Sequence, residues 1–340
     1  MSIPNSTRNK IVDALRFVCA LGIVIHHASG AFITDNSIIA TTIRYSFVYS
    51  VNIFFIISGY AISESLRFYK PSLSNAINYV MRRSIRLDAP YWLILTIYFT
   101  LETLLKQRNY GLVDLLANGV YLQRILGFQP ILGVAWTLCI EVQFYLLMLL
   151  VASYRKTTTQ LALTYACLIA GTIALKYNFG LFSDGNLVFP YLPWFTVGII
   201  ASRHKVIPSR FSILLVAGVL ASQCLLDGSD YRDVLCTIVY GFVAYLLIIN
   251  GDQNGASTKL DSLRLASTNF VKIASLGSYT YSVYLTHMLT IKVVSKIGLL
   301  PNEYAKVAAA VMLTAVMAWL LNHLIEKPAL LLSRKIRYHH

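Results

Sequence analysis

Charge is what this chain has least of. Only 13% of its 340 residues are charged, and acidic groups are the scarcer kind, 15 Asp and Glu against 29 Lys and Arg. A soluble domain carries about twice that charged fraction, so an ordinary water-soluble globule is excluded. No polar connection is long enough to fold alone; the longest lie near 67–88 and 251–272. Repeats and low-complexity tracts are absent. The first apolar run begins after only ten residues and lacks a small-residue cleavage site, so it reads as a retained span and not a signal peptide. Cys19, Cys139, Cys167, Cys224 and Cys236 fall singly in apolar segments without metal-ligand spacing. They are expected to be small core residues, with no metal site and no disulfide framework.

What is abundant is apolar surface: 56% of residues are hydrophobic and the mean hydropathy is +0.61. Runs suited to a hydrocarbon core of roughly 30 Å recur along the whole chain. Their centres lie near residues 21, 56, 97, 145, 167, 195, 218, 241, 286 and 315. The expectation is an all-α membrane protein, a bundle of about ten transmembrane helices. It forms one integral-membrane domain over 1–340 with no appended soluble domain.

An even number of spans puts both termini on one side. That side holds 19 of the 29 basic residues, among them Arg8, Lys10, Arg67, Lys70, Arg82, Arg83, Arg86, Arg155, Lys156, Arg203, Lys205, Arg210, Lys259, Arg264, Lys272, Lys327, Arg334, Lys335 and Arg337. Lys106 is among the eight on the opposite side, while Arg16 and Lys292 sit within spans. The basic side is therefore expected to be cytoplasmic. Positive loops beside an anionic leaflet also account for the net charge of +14, which needs no nucleic-acid partner.

Ionisable groups inside spans cost about 2.5–3.5 kcal/mol each on insertion scales and read as functional when they cannot snorkel. The first span carries three of them, in LRFVCALGIVIHHA. Arg16 is near enough to the cytoplasmic end to reach a headgroup or a phosphate. His27 follows eleven residues later, about 20° from the same helical face and roughly 16 Å further along the axis. One stripe thus joins a cation to an imidazole, suited to an extended ligand with its anionic end at Arg16. His26 points about 100° away and reads as a packing residue. Asp13, at i to i+3 from Arg16, is placed to position it or to form a plain helix-end ion pair.

Glu141, in AWTLCIEVQFYLLMLL, has an expected depth similar to that of His27, so the carboxylate is expected to meet and orient the imidazole. The segment GSYTYSVYLTHMLTIKVV brings Tyr281 and His287 into the membrane, as ligand contacts or as interhelical glue. In YVMRRSIRLDAPYW, Arg82, Arg83 and Arg86 fit either the positive-inside bias or a phosphate clamp of guanidinium forks. Phosphates outside and an imidazole within suit a cofactor with a charged head and a long thin arm.

Six segments in order resemble acyltransferase family 3, multi-pass bacterial membrane proteins that O-acylate cell-surface carbohydrates. They are IVDALRFVCALGIVIHHA, VNIFFIISGYAIS, RRSIRLDAPYW, AWTLCIEVQFYLL, LGSYTYSVYLTH and IEKPALLLSRK. The family pattern of Asp, Leu-Arg and a later His selects Asp13, Arg16 and His27 and passes over His26. The paired arginines fall on Arg83 and Arg86. The fourth-span pattern falls on Trp136, Leu138, Glu141, Phe144 and Tyr145, with Thr137 where Ser is usual. Other departures are Ala14 for a common Gly, Asp88-Ala89 where Tyr often precedes Pro, and Thr286-His287-Met288 where Trp-His-Trp is common.

The resemblance implies an enzyme of the cytoplasmic (inner) membrane of a bacterium. It would transfer an acyl group, acetyl above all, from cytoplasmic acyl-CoA to a hydroxyl of an envelope carbohydrate or its lipid-linked precursor. Arg83, Arg86, Arg82 and Arg16 would hold the cofactor. His27 would act as general base oriented by Glu141, with Thr137 or a tyrosine hydroxyl at the oxyanion. Asp13, Trp136, Tyr145, Tyr281 and His287 would support the site or the acceptor. A competing expectation is a proton-coupled secondary transporter in which His27, Glu141 and His287 form a relay.

Overall fold

The structure, a computed structural model, describes residues 9–336 apart from 36, 46, 68, 106–107, 109, 155–156, 182–184, 208, 228–230, 254–267 and 298–299. Among the basic residues that set the expected orientation, Arg8, Lys106, Arg155, Lys156, Lys259, Arg264 and Arg337 lie outside the described residues.

The described chain is helical, with no strand. Its helices in order are α1 (Lys10–Phe32), α2 (Ile38–Tyr45), α3 (Ser50–Ser65), α4 (Leu73–Leu104), α5 (Leu112–Gly119), α6 (Trp136–Tyr154) and α7 (Thr158–Phe179). Then come α8 (Leu192–Ser202), α9 (Ser209–Asp227), α10 (Tyr231–Gln253), α11 (Thr268–Leu276), α12 (Thr280–Ile297) and α13 (Glu303–Leu321). A wide π turn, Asn322–Glu326, joins α13 to α14 (Lys327–Ser333).

Each of the ten expected centres falls within one of these helices. Among the described residues, five segments are long and apolar enough to cross a membrane: Lys10–Phe32, Gly133–Ser153, Ser209–Leu226, Asp233–Gly251 and Glu303–Ser333. Four of the others differ for physical reasons. α3 has 16 residues and α8 only 11, about 16 Å of rise. α4 and α12 carry the charged and hydroxyl side chains of the interior, so they cannot be uniformly apolar. α8 is buried along its whole length and forms the centre of the bundle. By contrast α9, α10 and α13 turn large apolar side chains outward, with Leu214 67%, Leu235 61% and Met312 64% exposed, as a lipid-facing surface requires.

Local sequence sets where these helices start and how closely they approach. Asn9 caps α1, accepting from the N–H groups of Ile11 (3.0 Å) and Val12 (3.2 Å), and donates to the Ile248 carbonyl (3.1 Å), which ties α1 to α10. Ser72 caps α4 by accepting from the Asn75 N–H (3.1 Å). The α3–α8 crossing depends on two glycines: a Cβ on Gly59 would stand 2.0 Å from the Phe195 carbonyl oxygen, and one on Gly198 1.9 Å from that of Ile56. Backbone meets backbone there, the close packing that small residues permit between membrane helices. These contacts carry the floor of the site.

Candidate functional site

A cavity of about 460 Å³ opens between α1, α3, α4, α6, α12 and the α13–α14 turn. Its cations come from three elements: Arg16 on α1, Arg83 and Arg86 on α4, and Lys327 and Arg334 at the C-terminal end. Of the residues singled out in the sequence, it also gathers Thr137, Glu141, Tyr145 and Tyr281. Asp13, Arg82, Trp136, His27 and His287 do not line it.

Helix spacing explains the arginines. Arg83 and Arg86 are three residues apart, hence on one face of α4, one turn before Pro90. Pro90 has no N–H to give the Arg86 carbonyl. One turn of α4 is then steadied from outside, where the Tyr281 hydroxyl donates to the Leu87 carbonyl (2.8 Å). Arg83 is held by the ring of Tyr145 (4.9 Å to its centroid), by that of Tyr79 (5.5 Å) and by donation to Ser65 Oγ (3.2 Å). Arg86 makes no hydrogen bond or ion pair with another described residue. Arg16 forms the expected ion pair with Asp13 (Nη1 to Oδ1 3.8 Å), and Asp13 is buried where α1 meets Gly277.

Glu141 differs from expectation. Its carboxylate accepts from Ser58 Oγ (2.7 Å) and from the Tyr145 hydroxyl one turn along α6, and no hydrogen bond joins it to His27. On α6 it is Thr137, one turn before Glu141, that contacts α12, at Tyr284. The Tyr284 hydroxyl donates to the Val134 carbonyl (2.5 Å) and receives the Thr137 hydroxyl (2.5 Å). Glu141 instead holds Tyr145, whose ring lies under Arg83.

His27 finds a different neighbour. Its ring centroid is 5.3 Å from that of His287, and 5.1 Å from that of His26, which meets it edge-on. His287 is fully buried, 5.6 Å from the Tyr284 ring. Its Nδ1 contacts the Tyr284 carbonyl at 2.6 Å. A carbonyl only accepts, so Nδ1 carries the proton and Nε2 is left as the acceptor, buried without a partner. Tyr284 lines the cavity while neither histidine does, so its ring links the cavity lining to His287. The hydroxyl protons of Thr137 and Tyr284 are both already committed.

Trp136 packs away from the cavity, against Phe55, Tyr191 and the guanidinium of Arg124. Lys292, the other basic residue expected within a span, is paired with Glu102 of α4 and stands 5.0 Å from the centroid of Tyr98. Its role is to bind α12 to α4.

The sequence reading missed the C-terminal wall. Glu326 is buried and accepts from Ser282 Oγ (2.6 Å) and Asn322 Nδ2 (3.0 Å), and that amide also donates to the Ser278 carbonyl (2.9 Å). The cost rule that selected Glu141 applies equally to Glu326, a carboxylate in an apolar helix.

With this geometry in place, comparison with known families is decisive. The model of acyltransferase family 3, described as an acyltransferase domain, matches residues 9–323. The chain belongs to acyltransferase family 3. No curated protein and no solved structure is significantly similar to it. Family membership and the apolar helices make it a multi-pass membrane acyltransferase. The transporter expectation gives way to group transfer.

Proposed function

We propose that this protein O-acylates an envelope carbohydrate or its lipid-linked precursor, taking the acyl group, acetyl in the first instance, from cytoplasmic acyl-CoA. The observation that carries the reading is the single cavity that joins a cationic mouth at Arg83 and Arg86 to Tyr284, with the His27–His287 pair directly behind it. Coenzyme A has that outline: an anionic nucleotide head, then a long neutral arm ending in the thioester. In this reading the chain crosses the cytoplasmic membrane of a bacterium about ten times, with both termini in the cytoplasm.

His27 is the general base. It takes the proton of the acceptor hydroxyl as that oxygen attacks the thioester carbonyl, and the tetrahedral intermediate collapses by breaking the C–S bond. The thiolate of coenzyme A leaves, and the proton held on His27 passes to it or to solvent. His287 takes over the orienting part first expected of Glu141, because its ring is 5.3 Å from that of His27 and its unpartnered Nε2 is an acceptor for the second nitrogen of a base. Thr137, turned from Tyr284 toward the thioester oxygen, supplies the oxyanion donor. Glu141 acts earlier, holding Tyr145 under Arg83.

Mass spectrometry of envelope glycans from cells with and without the protein tests this reading. The expected result is an acyl ester that disappears with the gene and with His27→Ala; glycans unchanged in both strains would overturn it.

A further inference from the structure

We infer that the C-terminal wall is a second phosphate-binding subsite, with Arg334 and Lys327 holding phosphates that Arg83 and Arg86 do not, and Arg334 taking the ribose 3′-phosphate of coenzyme A. The inference rests on the acyl-CoA reading above and deepens it.

Three observations carry it. Lys327 and Arg334 both line the cavity together with Arg86, and α14 packs along α4. They are seven residues apart, about 20° from the same helical face and roughly 10 Å along the axis. That is the spacing of two separate anion sites rather than one. The cavity therefore presents five cations against two carboxylates, Glu141 and Glu326, and both carboxylates already accept hydrogen bonds from the protein.

The third observation points to a ligand directly. Asn322, 2% exposed, lines the cavity one turn before Glu326, and its Oδ1 has no partner although its Nδ2 makes two hydrogen bonds. A buried amide oxygen left without a donor costs about 1–3 kcal/mol. An amide N–H of a ligand's arm would satisfy it. From the buried end outward, the wall thus reads amide acceptor, Lys327, Arg334. Coenzyme A reads in the same order as amide arm, diphosphate and ribose phosphate. A guanidinium fork suits the doubly charged terminal phosphate better than the singly charged diphosphate oxygens. Arg334 ends α14 and stands exposed, so it meets the part of the ligand that stays furthest out.

The test is equilibrium binding of acetyl-CoA and of its 3′-dephospho form to the purified full-length protein in lipid nanodiscs. Wild type is expected to bind acetyl-CoA about tenfold more tightly than the dephospho form. Arg334→Gln should weaken acetyl-CoA about tenfold and leave the dephospho form unchanged, so that discrimination disappears, while Arg334→Lys restores part of it. Lys327→Gln should weaken both ligands. Thermal unfolding without ligand should match wild type for the Arg334 variants and change little for Lys327→Gln, whose side chain is exposed and meets His323 Nε2 (2.9 Å) and the Tyr279 ring (5.6 Å to its centroid) at the surface. Discrimination retained by Arg334→Gln would overturn the subsite and leave the acyl-CoA reading standing. Failure of wild type to bind either compound would overturn both.

Discussion

His27 of α1 and His287 of α12 face each other with ring centroids 5.3 Å apart and planes tilted by 32°, and the tautomer of His287 is set by the Tyr284 carbonyl. One imidazole of the pair is thus locked by the fold, and the other is the half-buried partner it can orient. Tyr284, its ring 5.6 Å from that of His287, lines the cavity that also holds Arg83 and Arg86, and in the proposed mechanism the place of chemistry is thereby separated from the place of anchoring.

The division of labour predicts distinct kinetic signatures. His287→Asn should lower kcat about 100-fold with the KM for acyl-CoA unchanged, and should shift the acid limb of the pH–rate profile, because it alters how the base is held. A purely structural role would lower the amount of active enzyme without moving that limb. Measurement of kcat and KM across pH on protein quantified by active-site titration separates the two.

Glu141 provides the opposite case. It holds Tyr145, whose ring supports Arg83, and does not touch His27. Glu141→Ala is therefore expected to raise the donor KM about tenfold and to leave the pH profile of kcat in place, and Tyr145→Leu should do the same. A change in the pH profile with KM intact would restore the orienting role to Glu141.

Arg86 lines the cavity without a described hydrogen-bond or ion-pair partner, so its charge is available to a ligand. Arg86→Gln should weaken acetyl-CoA binding about tenfold at low salt and flatten the dependence of binding on ionic strength. Titrations at two salt concentrations check both effects.

Packing beneath the cavity is equally exposed to test. Gly198→Ala would drive a Cβ to 1.9 Å from the Ile56 carbonyl oxygen, and backbone cannot yield as a side-chain tip can. The α3–α8 crossing should open at a cost of about 1–3 kcal/mol or more, seen as a lower unfolding temperature in detergent. Gly218→Ala, where a Cβ meets nothing within 4 Å, is the matched control and should leave it unchanged.

How much of this was legible in the sequence follows from what kind of signal each feature leaves. Apolar runs mark helix centres directly, and all ten centres fall in helices. Periodicity within one helix is equally readable, which is why Asp13 and Arg16 pair as expected and why Arg83 and Arg86 share a face. Register between helices leaves no such trace. Equal distance from a span end suggested that Glu141 would meet His27, but Glu141 meets Ser58 and Tyr145, and it is Thr137 that contacts α12, at Tyr284. Trp136 and Arg82 show the same gap, since a motif position does not say which way a side chain turns. Asn322 and Glu326 were readable by the cost of burying them, yet only the wide turn between α13 and α14 brings them beside Ser282.

The most direct measurement is transfer of labelled acetyl from acetyl-CoA to envelope glycan in membranes holding equal amounts of inserted wild-type or His27→Ala protein. The mechanism predicts base-labile label on carbohydrate with wild type and a loss of at least about 100-fold with His27→Ala. Equal labelling by the two proteins would contradict it.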